Sequence, residues 1–269
     1  MTHPLLTIGY STLASRVGSI ELPPAQPDVE ILVVVQGTHA ESITRFDDRH
    51  DVEVIAEHGV GVARSRNVVL GRATGRYLVF GDDDATWRMA GVRAVVDWME
   101  ASPGTSLVLA MACDEHGEPR KRYRSSEGRL HRWNSAKAGT IELVVRRSEI
   151  VAAGVAFDEN FGAGAANFLG DEYIFVTDVL RAGLHGRFRP VVISEHPAES
   201  SGSGFGTVAD ARARSAVFDR VFGWRASLAR LAFLARRPGR FGSWRLGLGF
   251  VIGRVPSVEP TDPDRAATS

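Results

Sequence analysis

Asp82, Asp83 and Asp84 follow directly on the run Tyr77-Leu78-Val79-Phe80-Gly81. Three adjacent carboxylates repel one another unless a cation or several hydrogen-bond donors sit among them. Oxygen ligands of this kind suit Mg²⁺ or Mn²⁺. The apolar run before them reads as a short buried strand, and ligand clefts in open α/β sheets lie beyond the carboxyl ends of strands. Strand alternation, if it continues, puts Asp82 and Asp84 on one side, roughly 6.5–7 Å apart. The competing reading is a solvated acidic turn.

A second acidic pair, Asp171-Glu172, follows Gly170 at the start of a helical pattern. Such a carboxylate can serve as a general base, or only complement the positive end of the helix. Arg64 and Arg66 offer planar forks that match phosphate oxygens; for Arg64, a solvated helix face is the preferred reading. His58 and His131 show no site spacing, and His196 beside Pro197 reads on its own as a loop histidine. Residues 59–61 match neither a phosphate loop nor a dinucleotide fingerprint. The single cysteine, Cys113, excludes an internal disulfide and a Cys/His zinc set. It fits a reducing compartment and reads as a buried, inert thiol.

The elements that must position these groups follow from hydrophobic period and breakers. Strands are expected at 5–10, 29–35, 51–55, 77–80, 107–112, 141–145 and 191–193. Ser11-Thr12 would cap a short helix. Further helices are expected at 38–46, from Val62 to Thr74-Gly75, at 88–101, at 149–154, and from Asp171 to Gly183. Residues 114–137 read as an irregular basic ribbon, and 162–165 as a mobile Gly/Ala loop. This order predicts an α/β fold with a mainly parallel central sheet flanked by helices.

Net charge is zero over 269 residues, but it is unevenly spread. Residues 211–254 hold ten arginines against Asp219 alone, so the segment carries +9, the last fifteen residues −2, and residues 1–210 −7. Val217, Phe218, Val221, Phe222, Leu228, Leu231 and Leu234 recur there at helical spacing. The expected organisation is a catalytic domain over 1–205, a basic amphipathic helical extension over 206–254, and a disordered tail over 255–269. The extension either lies on an anionic membrane or packs on the catalytic domain; no nucleic-acid motif accompanies it. No apolar run reaches the ~20 residues of a membrane span, and Met1-Thr2-His3-Pro4 has no signal-peptide pattern. The expected location is cytoplasmic, with possible peripheral contact at the inner face of the membrane.

Taken together, Gly61-Val62-Ala63-Arg64-Ser65-Arg66-Asn67, Ala73-Thr74-Gly75 and Tyr77–Asp84 resemble the family 2 (family A) glycosyltransferases of GT-A fold. Phe157-Asp158-Glu159-Asn160-Phe161-Gly162 resembles that family's FDE-x-F-G segment, and Gly170-Asp171-Glu172 through Arg181-Ala182-Gly183 its acidic helix. The resemblance covers about residues 5–200. The chain departs from the family pattern in the reversed order Asp171-Glu172, in Ser65, and in Gln36 at the end of the second strand.

The resemblance implies a hexosyltransferase-like enzyme that moves a sugar from a nucleoside-diphosphate sugar, UDP favoured, to a hydroxyl of a glycan or lipid-linked acceptor. The transfer inverts the anomeric carbon and belongs to cell-surface glycan or glycolipid synthesis. Mn²⁺ or Mg²⁺ would be held by Asp82, Asp84 and His196, with Asp82 serving the ribose as the alternative. The donor would meet Thr7, Tyr10, Ser11, Arg66, Asp82 and Asp83. The base is Glu172 by alignment or Asp171 by reach, and the loop 162–169 would close over the acceptor. Two other readings share the features: a catalytically silent sugar-nucleotide binder, and a nucleotidyltransferase, which would want a lysine-containing loop near the first strand.

Overall fold

The run Val29-Glu30-Ile31-Leu32-Val33-Val34-Val35 is rich in β-branched residues, whose stiff side chains suit a pleated surface. In the computed structural model, which describes residues 3–37, 44–197 and 206–255, it forms the second strand of a nine-stranded sheet. The strands are β1 (Leu6–Leu13), β2 (Val29–Gln36), β3 (Val52–Glu57), β4 (Tyr77–Asp82), β5 (Thr86–Trp87), β6 (Leu107–Cys113), β7 (Gly128–Arg129), β8 (Leu143–Arg146) and β9 (Gly186–Glu195). Their order is β3-β2-β1-β4-β8-β6-β9-β5, with β7 also on β9.

The half made by β3, β2, β1 and β4 is parallel. Beyond it the sheet is mixed: β8 runs antiparallel to both β4 and β6, β6 and β9 are parallel, and β5 and β7 join β9 antiparallel. β8 follows the irregular stretch after β6 rather than a helical crossover, so nothing obliges it to run parallel.

Period-2 alternation divides the core between the two faces. Ile8, Tyr10, Val33, Val35, Tyr77 and Val79 pack on one side with Val92, Val95, Val96 and Met99 of α2 (Met89–Glu100). Leu32, Val34, Leu78 and Phe80 pack on the other. There they meet Val69 and Leu70 of α1 (Val62–Arg72), Ile150 of α3 (Arg147–Ala152), and Phe175, Val176 and Val179 of α4 (Asp171–Arg181). Each such aliphatic side chain contributes ~1.5–3 kcal/mol on burial. Gly9 lets α1 lie close on β1, since a Cβ there would stand 2.1 Å from a Val69 methyl.

Several boundaries differ from expectation. β1 continues through Ser11 and Thr12, which stay in register with Val34 and Val35. The 3-10 turn Ala14–Ser19 that follows has no side-chain cap, so Ser11-Thr12 is not a helix start. β9 and β3 are longer than their apolar runs, because main-chain pairing carries polar residues along. The helix expected at 38–46 falls mostly outside the described residues; its described end leads into a turn at 45–48. The Ser/Gly run 200–206 and the tail from 255 also lie almost wholly outside them.

Two compact units divide the chain, residues 1–200 and 201–269. The second contains α5 (Val208–Phe222), α6 (Ala226–Arg236) and α7 (Trp244–Ile252). Its own core gathers Ala211, Phe218, Phe233, Leu234, Phe241, Leu246 and Phe250.

Candidate active site

β4 ends at Asp82, and the chain turns at once: the Ala85 amide donates to the Asp82 carbonyl at 3.1 Å. The extended geometry that would have put Asp82 and Asp84 side by side therefore stops one residue too early. Each carboxylate has its own surroundings. Asp83 is the buried member, accepting from the Thr12 hydroxyl at 2.8 Å and paired with Arg16 at 2.6 Å. Burial raises its pKa against the pull of Thr12 and Arg16. Asp84 lies 3.0 Å from His196 Nε2 and 3.4 Å from Arg16. The His196 bond lowers Asp84, and the same bond raises His196, whose Nδ1 faces the Pro197 carbonyl at 2.8 Å. Asp82 pairs with Arg66 Nη2 at 3.1 Å.

Arg66 joins the two acidic clusters. Its side chain is 4% exposed; one nitrogen holds Asp82 while the other is bonded to Asp171 and lies 3.6 Å from Glu172. Its guanidinium also stands over the Phe157 ring at 5.6 Å. Phe157 in turn stacks on Phe175 at 4.1 Å and meets Phe80 edge-on. A guanidinium can be buried here because three carboxylates compensate its charge. Those carboxylates raise its pKa further although burial opposes them.

Asp171 and Glu172 share the first turn of α4 but not an environment. Asp171 is buried, and burial, then Glu172, raise its carboxyl to about 7 while Arg66 pulls the other way. Gly162, at φ 94°, makes room for it: a Cβ there would fall 2.8 Å from the Asp171 carboxyl. Glu172 is 22% exposed and accepts from the Thr140 hydroxyl at 2.6 Å. The buried carboxylate is thus locked to an arginine, while its neighbour opens toward solvent.

The loop expected to be mobile at 162–165 is laced by backbone bonds. Gly162 N donates to Asn167 O at 2.8 Å, Ala165 N to Gly162 O at 3.0 Å, and Val62 N at the start of α1 to Ala163 O at 2.9 Å. Asn67 clasps the preceding segment from α1, accepting from Phe157 N at 2.8 Å and donating to Phe157 O at 3.0 Å. Gln36 accepts from Gly61 N at 2.7 Å, fixing the entry to the same helix.

Compared with known families, the chain matches the profile of glycosyl transferase family 2 over residues 12–152, slightly more than half its length. The chain belongs to glycosyl transferase family 2. It is a glycosyltransferase, and its mixed α/β architecture is of GT-A type. Among solved structures it is similar to Staphylococcus aureus TarS 1–349 in complex with UDP-GlcNAc, with TM-score 0.64 and 12% identity over 93% of this chain and 81% of that one. The UDP complex of the same TarS fragment gives TM-score 0.58 at 13% identity over the same shares. A TarS structure of greater length gives 0.60 at 12% identity, over 94% of this chain and 49% of that one. At these identities the likeness is one of fold. No curated protein matches the chain by sequence.

Within the family 2 fold, the expected site residues separate into two groups. Ser11, Arg66, Asp82, Asp83, Asp84, Asp171, Glu172 and His196 gather around the carboxyl ends of β1 and β4; Ser11 stands beside Asp82 in register, and its buried hydroxyl has no hydrogen-bond partner among the described residues. Thr7 and Tyr10 do not join them. Thr7 pairs with Leu78, four residues down the strand and roughly 13 Å away, where its hydroxyl is bound to Glu30 at 2.5 Å. Tyr10 is fully buried against Gly81 and Trp87, which raises its phenol pKa, and its hydroxyl reaches the Glu21 carbonyl at 3.4 Å. Both are core residues, because alternation along β1 turns Tyr10 into the core layer. Thr12, Arg16 and Thr140 were missed; each acts across a long sequence separation that no spacing records.

Among the described residues, no three His, Cys, Asp or Glu groups assemble as a metal set. Asp84 and His196 nevertheless form a two-member oxygen and nitrogen donor pair at the mouth of the sheet, with half-exposed Asp82 nearby. Mg²⁺ and Mn²⁺ commonly take only one or two protein ligands and complete their shell with water and substrate phosphate. The residues fit such an ion.

Proposed function

We propose that the chain transfers a sugar from a nucleoside-diphosphate sugar to an acceptor hydroxyl with inversion at the anomeric carbon, in cell-surface glycan or glycolipid synthesis. UDP is the favoured nucleotide, since TarS structures of similar fold contain UDP-GlcNAc and UDP. The acceptor is a glycan or a lipid-linked sugar met at the membrane surface. The observation that carries this reading is Arg66, which ties Asp82 of the donor side to the Asp171-Glu172 pair within one buried fork.

Asp84 and His196 would hold a divalent cation, with Asp82 near it. That ion would neutralise charge on the leaving diphosphate. Ser11 and Asp82 flank the same edge and suit polar groups of the nucleotide. Arg16, half exposed beside Asp83 and Asp84, offers a cation to a phosphate oxygen.

Glu172 is the general base. Its carboxylate is accessible, and Thr140 orients one oxygen while the other remains for the acceptor proton. Asp171 is the alternative base; its burial and its bond to Arg66 suit a positioning role better. Arg66, held by three carboxylates, sets the separation between donor and base instead of meeting the diphosphate itself. The laced segment 162–169 flanks Asp171 through Gly162 and would bound the acceptor side.

The deciding experiment is a screen of nucleotide sugars for hydrolysis with Mn²⁺ or Mg²⁺, which requires no acceptor. Release of nucleoside diphosphate from one donor, slowed in Glu172→Gln, supports the assignment. Absence of turnover and of nucleotide binding across the panel sinks it.

A further inference from the structure

The arginine-rich C-terminal helices resolve their apolar residues into two populations. Phe218, Phe233, Leu234, Phe241 and Phe250 face one another within their own unit, with Phe241 and Phe250 rings 4.7 Å apart. Arg230 closes that interior from within: it is buried, bonded to the Ser215 hydroxyl at 3.0 Å and paired with Asp219 at 2.9 Å. These residues cover one another, and Leu234 and Phe241 also reach the groove between α6 and α7.

The second population is left outside. Trp224 is 83% exposed, Trp244 74% and Leu228 67%, with Leu231, Leu248 and Ile252 all more than half exposed. Leu228 and Leu231, three apart, share a face of α6, Trp224 stands in the 3-10 turn Gly223–Arg225 just before that helix, and Trp244, Leu248 and Ile252 repeat at intervals of four along α7. Between α6 and α7 lies an apolar groove of about 540 Å³, lined by Leu231, Leu234, Phe241, Trp244, Leu248 and Val251 among others. Arginines stand beside the exposed indoles: Arg225 lies 4.5 Å from the Trp224 ring centre and Arg245 5.5 Å from that of Trp244. Arg236, Arg237 and Arg240 close the end of α6.

We propose that this face docks on an anionic lipid bilayer, with the two tryptophans and the leucine stripe entering the interface, the arginines at the headgroups, and the groove accepting part of an acyl chain. Large exposed apolar side chains grouped beside an apolar groove mark an interaction site. Charge selects the partner: of the ten arginines over residues 211–254, Arg230 is buried against Asp219 and Arg214 pairs with Asp210, and the other eight favour a surface bearing many negative charges. Trp and Leu beside Arg are the composition of helices that lie in the membrane plane, where surface cations are drawn to anionic lipid. No helix among the described residues is long and apolar enough to cross a membrane. The docking deepens the membrane-facing part of the proposed function but does not depend on the sugar chemistry.

The test uses the full chain with vesicles of phosphatidylcholine alone and with about a third phosphatidylglycerol. The protein should sediment with the anionic vesicles at low salt and be released as salt rises. Acyl-brominated phosphatidylglycerol should quench its tryptophan fluorescence. The triple variant Trp224→Ser/Leu228→Ser/Trp244→Ser changes only exposed side chains. It should keep its melting temperature and nucleotide binding while vesicle affinity falls at least tenfold. Sedimentation without quenching, affinity unchanged in the triple variant, or no binding at any salt overturns the proposal. So does self-association of the wild type that the triple variant abolishes, which would assign the face to a second copy. Loss of nucleotide binding in the wild type with vesicle binding intact would instead strike the transferase reading and leave the docking standing.

Discussion

The Thr140 hydroxyl donates to Glu172 Oε1 at 2.6 Å, across 32 residues of sequence. That bond orients the accessible carboxylate of the acidic pair, so the two residues should fail differently when altered. Glu172→Gln removes the proton acceptor and should lower the transfer rate by several orders of magnitude at nearly unchanged donor affinity. Thr140→Val removes only the orienting bond, worth ~0.5–1.5 kcal/mol, and should lower kcat about tenfold or less. Single-turnover transfer beside donor titration checks both. A larger loss in Asp171→Asn than in Glu172→Gln would move the base to Asp171.

Asp84 and His196 face each other at 3.0 Å. Asp84→Ala and His196→Ala should each abolish the increment in UDP affinity that Mn²⁺ confers, while the melting temperature without metal changes little. Calorimetry with and without the ion measures this. An undiminished metal increment in either variant removes that residue from the cation's ligands.

The parallel strands, α1, α2 and α4 were legible because burial imposes a period on the chain, and both periods are plain in the apolar residues. The acidic triplet and the Asp171-Glu172 pair were legible as chemistry. Their geometry was not. Strand alternation could not tell that β4 stops at Asp82, since the turn is stabilised by a backbone bond that leaves no mark on residue type. The bond from Arg66 to Asp171 was not legible, because the two lie 105 residues apart. Thr7 and Tyr10 sit on the right strand but at the wrong depth or facing the core, a distinction made only by register against β4.

Arg66 has no substitute with the same reach. Arg66→Met leaves Asp171 buried beside Glu172 without its cation, and the loss of stability should grow as pH rises above about 7, where the carboxyl would otherwise be charged. Adding Asp171→Asn should restore part of the loss, because the uncompensated charge goes with it. Denaturant unfolding of the two single variants and the double variant forms the cycle. Strict additivity would show that the pair does not interact.

The raised pKa of Asp171 bears on activity near neutrality. Burial, followed by Glu172, lifts its carboxyl to about 7. Below that pH Asp171 gains a proton and loses the negative charge that pairs with Arg66; above it the ion pair is intact. The acid limb of the kcat profile should therefore fall as pH drops through about 7, and Asp171→Asn should flatten that limb. A limb that persists unchanged in Asp171→Asn would place the titrating group elsewhere.

Glu30 offers a stability test away from the active site. Its carboxylate accepts from the Thr7 hydroxyl at 2.5 Å, the Thr74 hydroxyl at 2.7 Å and the Gly75 amide at 2.9 Å, joining β2 to β1 and to the turn before β4. Burial pushes its pKa up, but the bonds from Thr7, Thr74 and Gly75 outweigh that, and the net shift is downward. A carboxyl whose folded pKa lies below its unfolded value of about 4.3 stabilises the fold above that pH. The contribution is lost as pH falls through the folded value. Glu30→Gln replaces charge-assisted bonds by neutral ones and leaves one amide N–H pair where acceptors are needed. At a half-buried position this should cost about 1–2 kcal/mol at pH 7, or roughly 2–8 °C in Tm for a domain of this size. Once the pH falls below the lowered folded pKa of Glu30 the wild type approaches the variant, because both then present an uncharged group to the same donors. Melting curves over pH 3–8 should show the two converging at the acid end. A Tm gap that is constant with pH would mean that Glu30 acts by shape and not by charge.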